Sequence, residues 1–305
     1  MRAPPGVALD AGPTHHRGVT TTVERRPSLR RRAGDVLFLR VSGADGFATR
    51  ERIHHAPGPR WFAPGSAVQV VHGDASMFPG GLRALLLQAL HPVAMAAVAE
   101  FSDFRDDPWG RLARTSTFLA TTAFGRADDA EAAVQHVRRV HGYVRGVTSE
   151  GVPYSADDPH LLAWIHAAGV DSFVAAHRRF GERPLDDAGY DEYVAQSAVV
   201  ARGLGVVDPP MTLAEVTALI DAYRPELRVT DASRATVDFL LRTPPLPPAL
   251  RPAYRALAAG AAATLPSWAR AALELRPEPV LGGGPSRVAG GLVTRTIRWL
   301  VPPID

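Results

Sequence analysis

The chain has 305 residues, and a hydrophobic content of 46% with a mean hydropathy of −0.04 is typical of one large globular domain. The absence of cysteine excludes disulfides, iron–sulfur clusters and thiolate chemistry. Lysine is also absent, which excludes Schiff-base chemistry and a P-loop lysine. Because the formal net charge is only +3, the pI of 9.7 does not indicate a nucleic-acid partner.

The two ends of the chain differ in composition from its middle. Residues 1–34 combine prolines, a threonine run and an arginine cluster, which predicts a flexible arm. The pair Arg25 and Arg26 is a feature of twin-arginine export signals. The apolar stretch that follows is too short for such a signal and contains Arg40, so we expect a cytoplasmic protein. Residues 35–280 are expected to form one helical domain, followed at 281–305 by a glycine-rich turn and an amphipathic segment.

A helical period begins near Gly80. Residues 82–100 are apolar nearly all round, which predicts a buried helix. Pro92 removes a backbone donor and frees the carbonyl of Gln88, so we expect a kink or break beside His91. Because Gln88, His91 and Pro92 interrupt the longest apolar run, we expect no integral membrane span.

Three well-marked helices follow. The first opens with Asp107 as N-cap and Pro108 at its first position, the second starts at 128–129 and ends near Gly146, and the third runs from 157–159 to Gly181. Five more are predicted at 190–204, 212–223 (with a capping box of Thr212 and Glu215), 232–242, 248–262 and 267–275. The only β-like candidates are 36–41 and 68–72, so the sequence predicts an all-α fold.

Histidine is the residue type most suited to a cofactor site, because soft ligands are missing. Of the eleven histidines, eight lie in irregular or polar stretches, which leaves His91, His141 and His166. His141 shares an apolar helix face with Val134, Val137 and Val144, and His166 lies on a similar face with Leu162, Gly169 and Phe173. Taken alone, such a residue is more often a core histidine bonded to a carbonyl.

A second constellation lies on the helix from Asp107. Arg111 and Thr115 stand one turn apart and share a face with Phe118 and Thr122, where a guanidinium could hold a carboxylate and the threonine could donate a hydroxyl bond. Taken alone, a surface ion pair of Arg111 with a nearby aspartate is the commoner outcome.

Other catalytic schemes fit the sequence poorly. A di-iron bundle needs two Glu-x-x-His pairs on helices, and the only such spacing is Glu51 to His54 in a stretch that we interpret as irregular. The His-Glu-x-x-His, Gly-x-Ser-x-Gly and Gly-x-Gly-x-x-Gly motifs do not occur.

The order of the motifs resembles a known family. The segments 83–92, 107–115, 137–144 and 154–166, within a stretch from about 78 to 275, resemble the catalytic domain of latex-clearing proteins (rubber oxygenases) and MpaB-type oxygenases. The resemblance implies a multi-helix, globin-like bundle around a pocket for haem b. It also implies that dioxygen reacts there with an apolar, unsaturated or aromatic small substrate, with an electron donor as a possible partner.

The resemblance also assigns expected roles to single residues. His141 matches the axial ligand of the haem iron, while Arg111 and Thr115 match the family's Arg-x-x-x-Thr pair near the haem. His91 is expected to line the pocket or to bond the carbonyl freed by Pro92, and His166 to brace His141 or Asp157. The distal lysine of the rubber-cleaving branch has no counterpart here, because the chain has no lysine.

Two other functions stay open at the level of sequence. A non-catalytic binder of haem or a hydrophobic ligand would keep the fold without turnover. A peroxygenase that uses hydrogen peroxide would need a distal polar pair, such as His91 with an arginine.

Overall fold

The computed structural model describes residues 28–101, 106–275 and 284–302. The all-α prediction is confirmed, because these residues form fourteen α-helices and one small β-hairpin. Before the hairpin come α1 (Leu29–Ser42), α2 (Gly46–His55), α3 (Ala67–His72), α4 (Met77–Gln88), α5 (Pro92–Phe101), α6 (Pro108–Phe124) and α7 (Ala127–Tyr143). The antiparallel hairpin consists of β1 (Arg145–Val147) and β2 (Pro153–Ser155).

Seven helices follow the hairpin. They are α8 (Pro159–Phe180), α9 (Asp187–Leu204), α10 (Leu213–Tyr223), α11 (Asp231–Leu241), α12 (Arg251–Ala263), α13 (Ser267–Ala272) and α14 (Gly284–Leu300). Short 3-10 turns lie at Arg224–Glu226 and Pro248–Leu250. Most of the expected N-terminal arm and of the glycine-rich turn lies outside the described residues, and the last residues of that arm belong to α1.

The predicted helix starts of α6 and α8 are confirmed in atomic detail. The carboxylate of Asp107 accepts a hydrogen bond from the Gly110 N–H at 2.9 Å, and that of Asp158 accepts one from the His160 N–H at 2.9 Å. In both helices proline occupies the first turn, where its missing N–H costs nothing.

The predicted break at Pro92 is also confirmed. Helices α4 and α5 meet at an angle of 109°. The backbone N–H of His91 donates to the Gln88 carbonyl at 3.1 Å. Pro92 has no N–H to donate to this carbonyl, so the carbonyl is satisfied by the His91 backbone and not by the His91 imidazole.

Both β-like predictions are wrong. Residues 36–41 belong to α1, where the Ser28 hydroxyl accepts a hydrogen bond from the Arg31 N–H as an N-cap. Residues 68–72 belong to α3, whose first turn is held by the side chain of Gln196, which accepts from the Val68 N–H at 2.8 Å. That partner lies 128 residues along the chain, so no local pattern could have revealed it.

The largest core surrounds α8. Its buried residues Trp164, Ala167 and Val170 pack with residues of α4, α9 and α10, among them Leu86, Leu87, Tyr190, Tyr193, Val194, Val216 and Ile220. A smaller cluster of Ala75, Leu257 and Ile297 joins α14 and α12 to the segment before α4. Helix α14, which begins beyond the glycine-rich turn, therefore packs on the domain as part of it.

Candidate haem site

Helices α6 and α7 form a helical hairpin through the short turn at Gly125 and Arg126, and they pack against each other. Arg111 lies thirteen residues before the end of α6, and His141 lies fourteen after the start of α7. At 1.5 Å per residue, each lies about 20 Å along its own helix from the turn.

Arg60 holds the turn of this hairpin in place. Its guanidinium donates to the carbonyls of Ile53 and His54, each at 2.8 Å, and to the carbonyl of Phe124 at the end of α6. The Ala127 N–H, which opens α7, donates to the Pro59 carbonyl at 2.8 Å. Arg60 could not be predicted from the sequence, because nothing in the residues around it indicates a carbonyl-binding role.

His141 carries a buried polar atom without a partner. Its Nδ1 is buried and makes no hydrogen bond among the described residues. Burial lowers the pKa of the imidazole, and the nearby Asp157 carboxylate acts in the opposite direction. The ring is therefore neutral at physiological pH, which is the form of histidine that binds a metal.

Asp157, the acidic neighbour of His141, is held by one residue from each strand of the β-hairpin. It accepts a hydrogen bond from the Ser155 hydroxyl and pairs with Arg145 at 3.4 Å. The Ser155 bond is the main reason why the pKa of Asp157 lies below its usual range. Asp157 makes no hydrogen bond to His141 among the described residues, and its charge opposes the lowering of the His141 pKa by burial.

Arg111 is half-buried and Thr115 is exposed. Burial, with a smaller contribution from Arg114, lowers the pKa of the Arg111 guanidinium, which stays protonated all the same. Asp107 pairs with Arg114 at 3.4 Å. The hydroxyl of Thr115 donates to the Arg111 carbonyl at 3.0 Å, within its own helix.

His166 lies on α8, and its Nε2 is buried without a hydrogen-bond partner. Burial lowers the pKa of His166 to about 4. No hydrogen bond joins it to His141 or Asp157 in the part of the chain that the structure describes. Next to it, the Gln88 amide donates to the Ile165 carbonyl at 3.1 Å and ties α4 to α8.

His91 lies in an aromatic cluster formed with α8 and α10. Its ring centroid is 6.1 Å from that of Trp164 and 6.2 Å from that of Tyr223. Its Nδ1 accepts a bond of 3.4 Å from the Ala94 N–H, and its Nε2 is 3.8 Å from a carboxylate oxygen of Glu226. Burial lowers the pKa of His91, and Glu226 opposes that effect.

Glu100 is a second residue that the sequence analysis did not place. The Tyr154 hydroxyl donates to its carboxylate, which ties the end of α5 to the hairpin after α7. Burial, with added effects of Glu100, raises the pKa of Tyr154 to about 12. The two residues are 54 positions apart, so only the folded chain brings them together.

The ligand chemistry is compatible with haem b. In 28–101, 106–275 and 284–302, no group of three or more His, Asp or Glu side chains could hold a metal ion. A haem iron needs fewer protein ligands than a free metal ion, because the porphyrin supplies four nitrogens and a single histidine can complete the site. The neutral imidazole of His141, with its buried and unpartnered nitrogen, meets that need.

Among the described residues, one pair of consecutive helices has the length and composition of a bent membrane span. No single helix in the described part of the chain is long and apolar enough to span a bilayer. Only α4 and α5 taken together, with the bend between them, reach the required length and apolar composition. Both halves of that pair contribute buried side chains to the domain.

The comparison with known families defines the class of protein. Residues 69–300 match the family described as "ER-bound oxygenase mpaB/B'/Rubber oxygenase, catalytic domain". The match covers more than half of the chain, so the chain belongs to this oxygenase family.

Two curated relatives from mycobacteria are more modest matches. The uncharacterized proteins Mb2261 of Mycobacterium bovis and Rv2237 of Mycobacterium tuberculosis are each 36% identical over 84 residues, or 28% of this chain. The chain thus matches 32% of the length of these relatives. No solved structure matches it significantly.

Proposed function

We propose that this chain is a haem b-dependent oxygenase in which His141 is the axial ligand of the iron. The main support is that this oxygenase-family domain carries a half-buried arginine on α6 and a neutral histidine with an unpartnered nitrogen on α7, and that these two helices pack together. When bound, the haem would supply the activation of dioxygen.

The chain's own residues would bind and orient this group. Arg111 would hold a propionate carboxylate of the haem in a charge-assisted hydrogen bond. Asp157, close to His141, would favour one orientation of the imidazole. His166, buried and neutral, would contribute to the cofactor pocket from α8, and Thr115 would position the helix segment that carries Arg111.

The substrate that we propose is an apolar, unsaturated or aromatic small molecule. Half-buried apolar side chains share the helix faces of the candidate residues: Phe118 on α6, Val137 on α7 and Phe173 on α8. An apolar ligand would gain free energy by burial against such surfaces. We retain His91 as a candidate catalytic residue, since a buried neutral imidazole can accept a proton from a reacting group.

Isotope labelling of the product tests the proposed reaction. Haem-loaded protein should be incubated with a panel of unsaturated lipids, terpenoids and aromatics under ¹⁸O₂, with and without an electron donor. We expect ¹⁸O in the product, and the yield should fall in a His91→Gln variant that retains its haem. Label that comes only from H₂¹⁸O₂ would indicate a peroxygenase, and haem binding without turnover would indicate a binding protein.

A further inference from the structure

One face of α14 is exposed and largely apolar. Val288, Leu292 and Trp299 are 59%, 57% and 56% exposed, and Arg295 lies between them. The spacings of four, three and four residues place these four side chains on a single face of the helix. Large apolar side chains gathered on one surface usually mark an interaction site.

The opposite face of α14 packs against the rest of the domain. Thr294 and Ile297 are buried, and at Gly290 the helix approaches α12 so closely that an added Cβ would lie 2.9 Å from the Gly260 Cα. The helix cannot rotate its apolar stripe inward without losing this packing. The stripe therefore faces outward as a permanent feature of the fold.

The N-terminal half of α1 adjoins the end of this stripe. Gly34 packs on the Leu300 carbonyl, and the Arg30 guanidinium lies 4.8 Å from the Trp299 ring centroid while its Nε donates to the Trp299 carbonyl at 2.8 Å. Leu29 and Val36, seven residues apart on one face of α1, are 82% and 70% exposed. We call the exposed faces of these two helices the α1–α14 surface.

This surface is strongly basic. Helix α1 holds four arginines and one aspartate, and α14 holds three arginines and no acidic residue, which together give a formal charge of +6. The whole chain carries only +3. One of the seven arginines, Arg298, is neutralised by Asp74 at 2.9 Å, and the surface stays clearly positive without it.

A cavity of about 590 Å³ opens on this surface between α14 and the end of α8. Arg298 forms one wall, held by Asp74 and by the Phe180 carbonyl, to which it donates at 2.8 Å. Arg179 and Arg295 also line the cavity and make no hydrogen bond or ion pair among the described residues. Only one acidic side chain, Glu182, is part of the lining, so the cavity is suited to a phosphate group.

We propose that the α1–α14 surface docks on a bilayer that contains anionic phospholipids, with a headgroup phosphate in the cavity between Arg179 and Arg295. Arginines that surround leucine, valine and tryptophan side chains are the combination that binds a membrane interface, because the charges attract the lipid headgroups and the apolar groups enter the acyl boundary. Tryptophan itself prefers the headgroup level.

A second copy of this chain is a poorer occupant of the surface. A symmetric dimer through this surface would bring two patches together, each of formal charge +5 once the Arg298–Asp74 pair is subtracted, and like charges in contact oppose association. The docking proposal does not depend on haem chemistry, because it rests on residues outside the candidate haem site.

Co-sedimentation with vesicles tests the proposal on the full-length protein. We expect binding to phosphatidylcholine vesicles that contain phosphatidylserine, little binding to pure phosphatidylcholine, and weaker binding at high salt. Arg295→Glu, which reverses one charge, should weaken binding about thirtyfold, since each unit charge contributes about fivefold. Leu292→Ser should weaken it about tenfold through lost apolar burial.

Two variants on other surfaces are matched controls. Arg139→Glu on the exposed side of α7 makes the same change of charge, and Val199→Ser on α9 removes a comparable exposed apolar group. Both should bind vesicles like the unaltered protein. Vesicle binding should also shift the tryptophan emission to the blue, and the shift should be largely lost in Trp299→Phe.

Three outcomes would overturn the proposal. They are no binding to anionic vesicles by a folded protein, equal binding to neutral and anionic vesicles, and an equal loss of binding in Arg139→Glu and Arg295→Glu. A stable dimer that Leu292→Ser dissociates, without vesicle binding, would assign the surface to a second copy instead.

Discussion

Burial of imidazoles is the main feature of this protein at the scale of single residues. Burial lowers the pKa of His72 and His166 to about 4 and that of His141 below its ordinary value. These rings are neutral at pH 7, and a neutral ring keeps a lone pair for a metal or a proton. His141 combines this state with an unpartnered Nδ1 on α7, which packs against the helix that carries Arg111, and this makes it the strongest candidate ligand.

We predict that Arg111→Ala weakens haem binding without unfolding the protein. The loss of one charge-assisted hydrogen bond should cost about 1.5–3 kcal/mol, or roughly ten- to a hundredfold in affinity. Titration with haem, followed by absorbance, measures the effect. Arg114→Ala is the control, because Arg114 lies on the same helix and is exposed in an ion pair with Asp107. Equal affinities of the two variants would remove Arg111 from the site.

We predict that His72 makes the free energy of unfolding depend on pH. Its folded pKa of about 4 lies below the unfolded value of 6.5, so the unfolded state takes up the proton first as the pH falls. Its contribution is complete above about pH 6.5, is lost between pH 6.5 and 4, and is worth about 3 kcal/mol.

Urea unfolding at several pH values checks this prediction. His72→Gln, which can keep a hydrogen bond to the Tyr193 hydroxyl, should show a smaller loss of stability between pH 6.5 and 4 than the unaltered protein. His136→Gln, on the exposed side of α7, should not change the dependence. A slope that is unaltered in His72→Gln would contradict the assignment.

Local sequence rules predicted part of the candidate site. Helical periodicity placed His141 and His166 on helices, and the N-cap at Asp107 placed Arg111 and Thr115 on another. The same rules could not place the neighbours of His91, because Trp164, Tyr223 and Glu226 come from distant parts of the chain. Such contacts depend on tertiary packing, which a single sequence does not specify by spacing.

At the scale of elements, caps and breakers predicted the helices well. Asp107, Asp158 and the break at Pro92 have the expected geometry, since each acts through neighbours within four residues. The capping box predicted at α10 is only half present. Thr212 accepts from the Glu215 N–H, but the Glu215 carboxylate accepts from the Met211 N–H instead of from Thr212. A reciprocal box is found at α11, between Thr230 and Ser233, where we did not predict one.

The contact of α12 with α14 yields a prediction at the same scale. In Gly290→Ala the new Cβ would lie 2.9 Å from the Gly260 Cα and 3.3 Å from the Ala256 carbonyl oxygen, so the two helices must move apart. We expect a loss of about 1–3 kcal/mol in the free energy of unfolding. In a chain of this size that lowers Tm by roughly 2–4 °C for each kcal/mol.

Gly81→Ala is the matched control for that substitution. Gly81 is also inside a helix, but an added Cβ meets no atom within 4 Å. Alanine there should raise stability by up to about 1 kcal/mol, because glycine loses more backbone entropy on folding. Thermal unfolding measures the change in Tm of both variants. Equal changes would show that the close approach of α12 and α14 has no energetic importance.

At the scale of the whole molecule, the candidate haem site and the α1–α14 surface belong to one domain. Helix α1 packs against both α6, which carries Arg111, and α14, which carries the docking stripe. Apolar molecules are concentrated in a bilayer. Docking by this surface would therefore place an oxygenase that acts on such molecules at the membrane that contains its substrate. Each proposal can fail without the other, because their tests use different residues.

The measurement that tests the central claim most directly is the haem spectrum of the purified protein and two histidine variants. After loading with haem b, the unaltered protein should show a Soret band and one haem per chain. His141→Ala should lose most of that haem while it stays folded by circular dichroism, and His136→Ala, five residues away on the exposed side of α7, should keep it. A normal spectrum in His141→Ala, or no Soret band in the unaltered protein with ample haem, would contradict the claim.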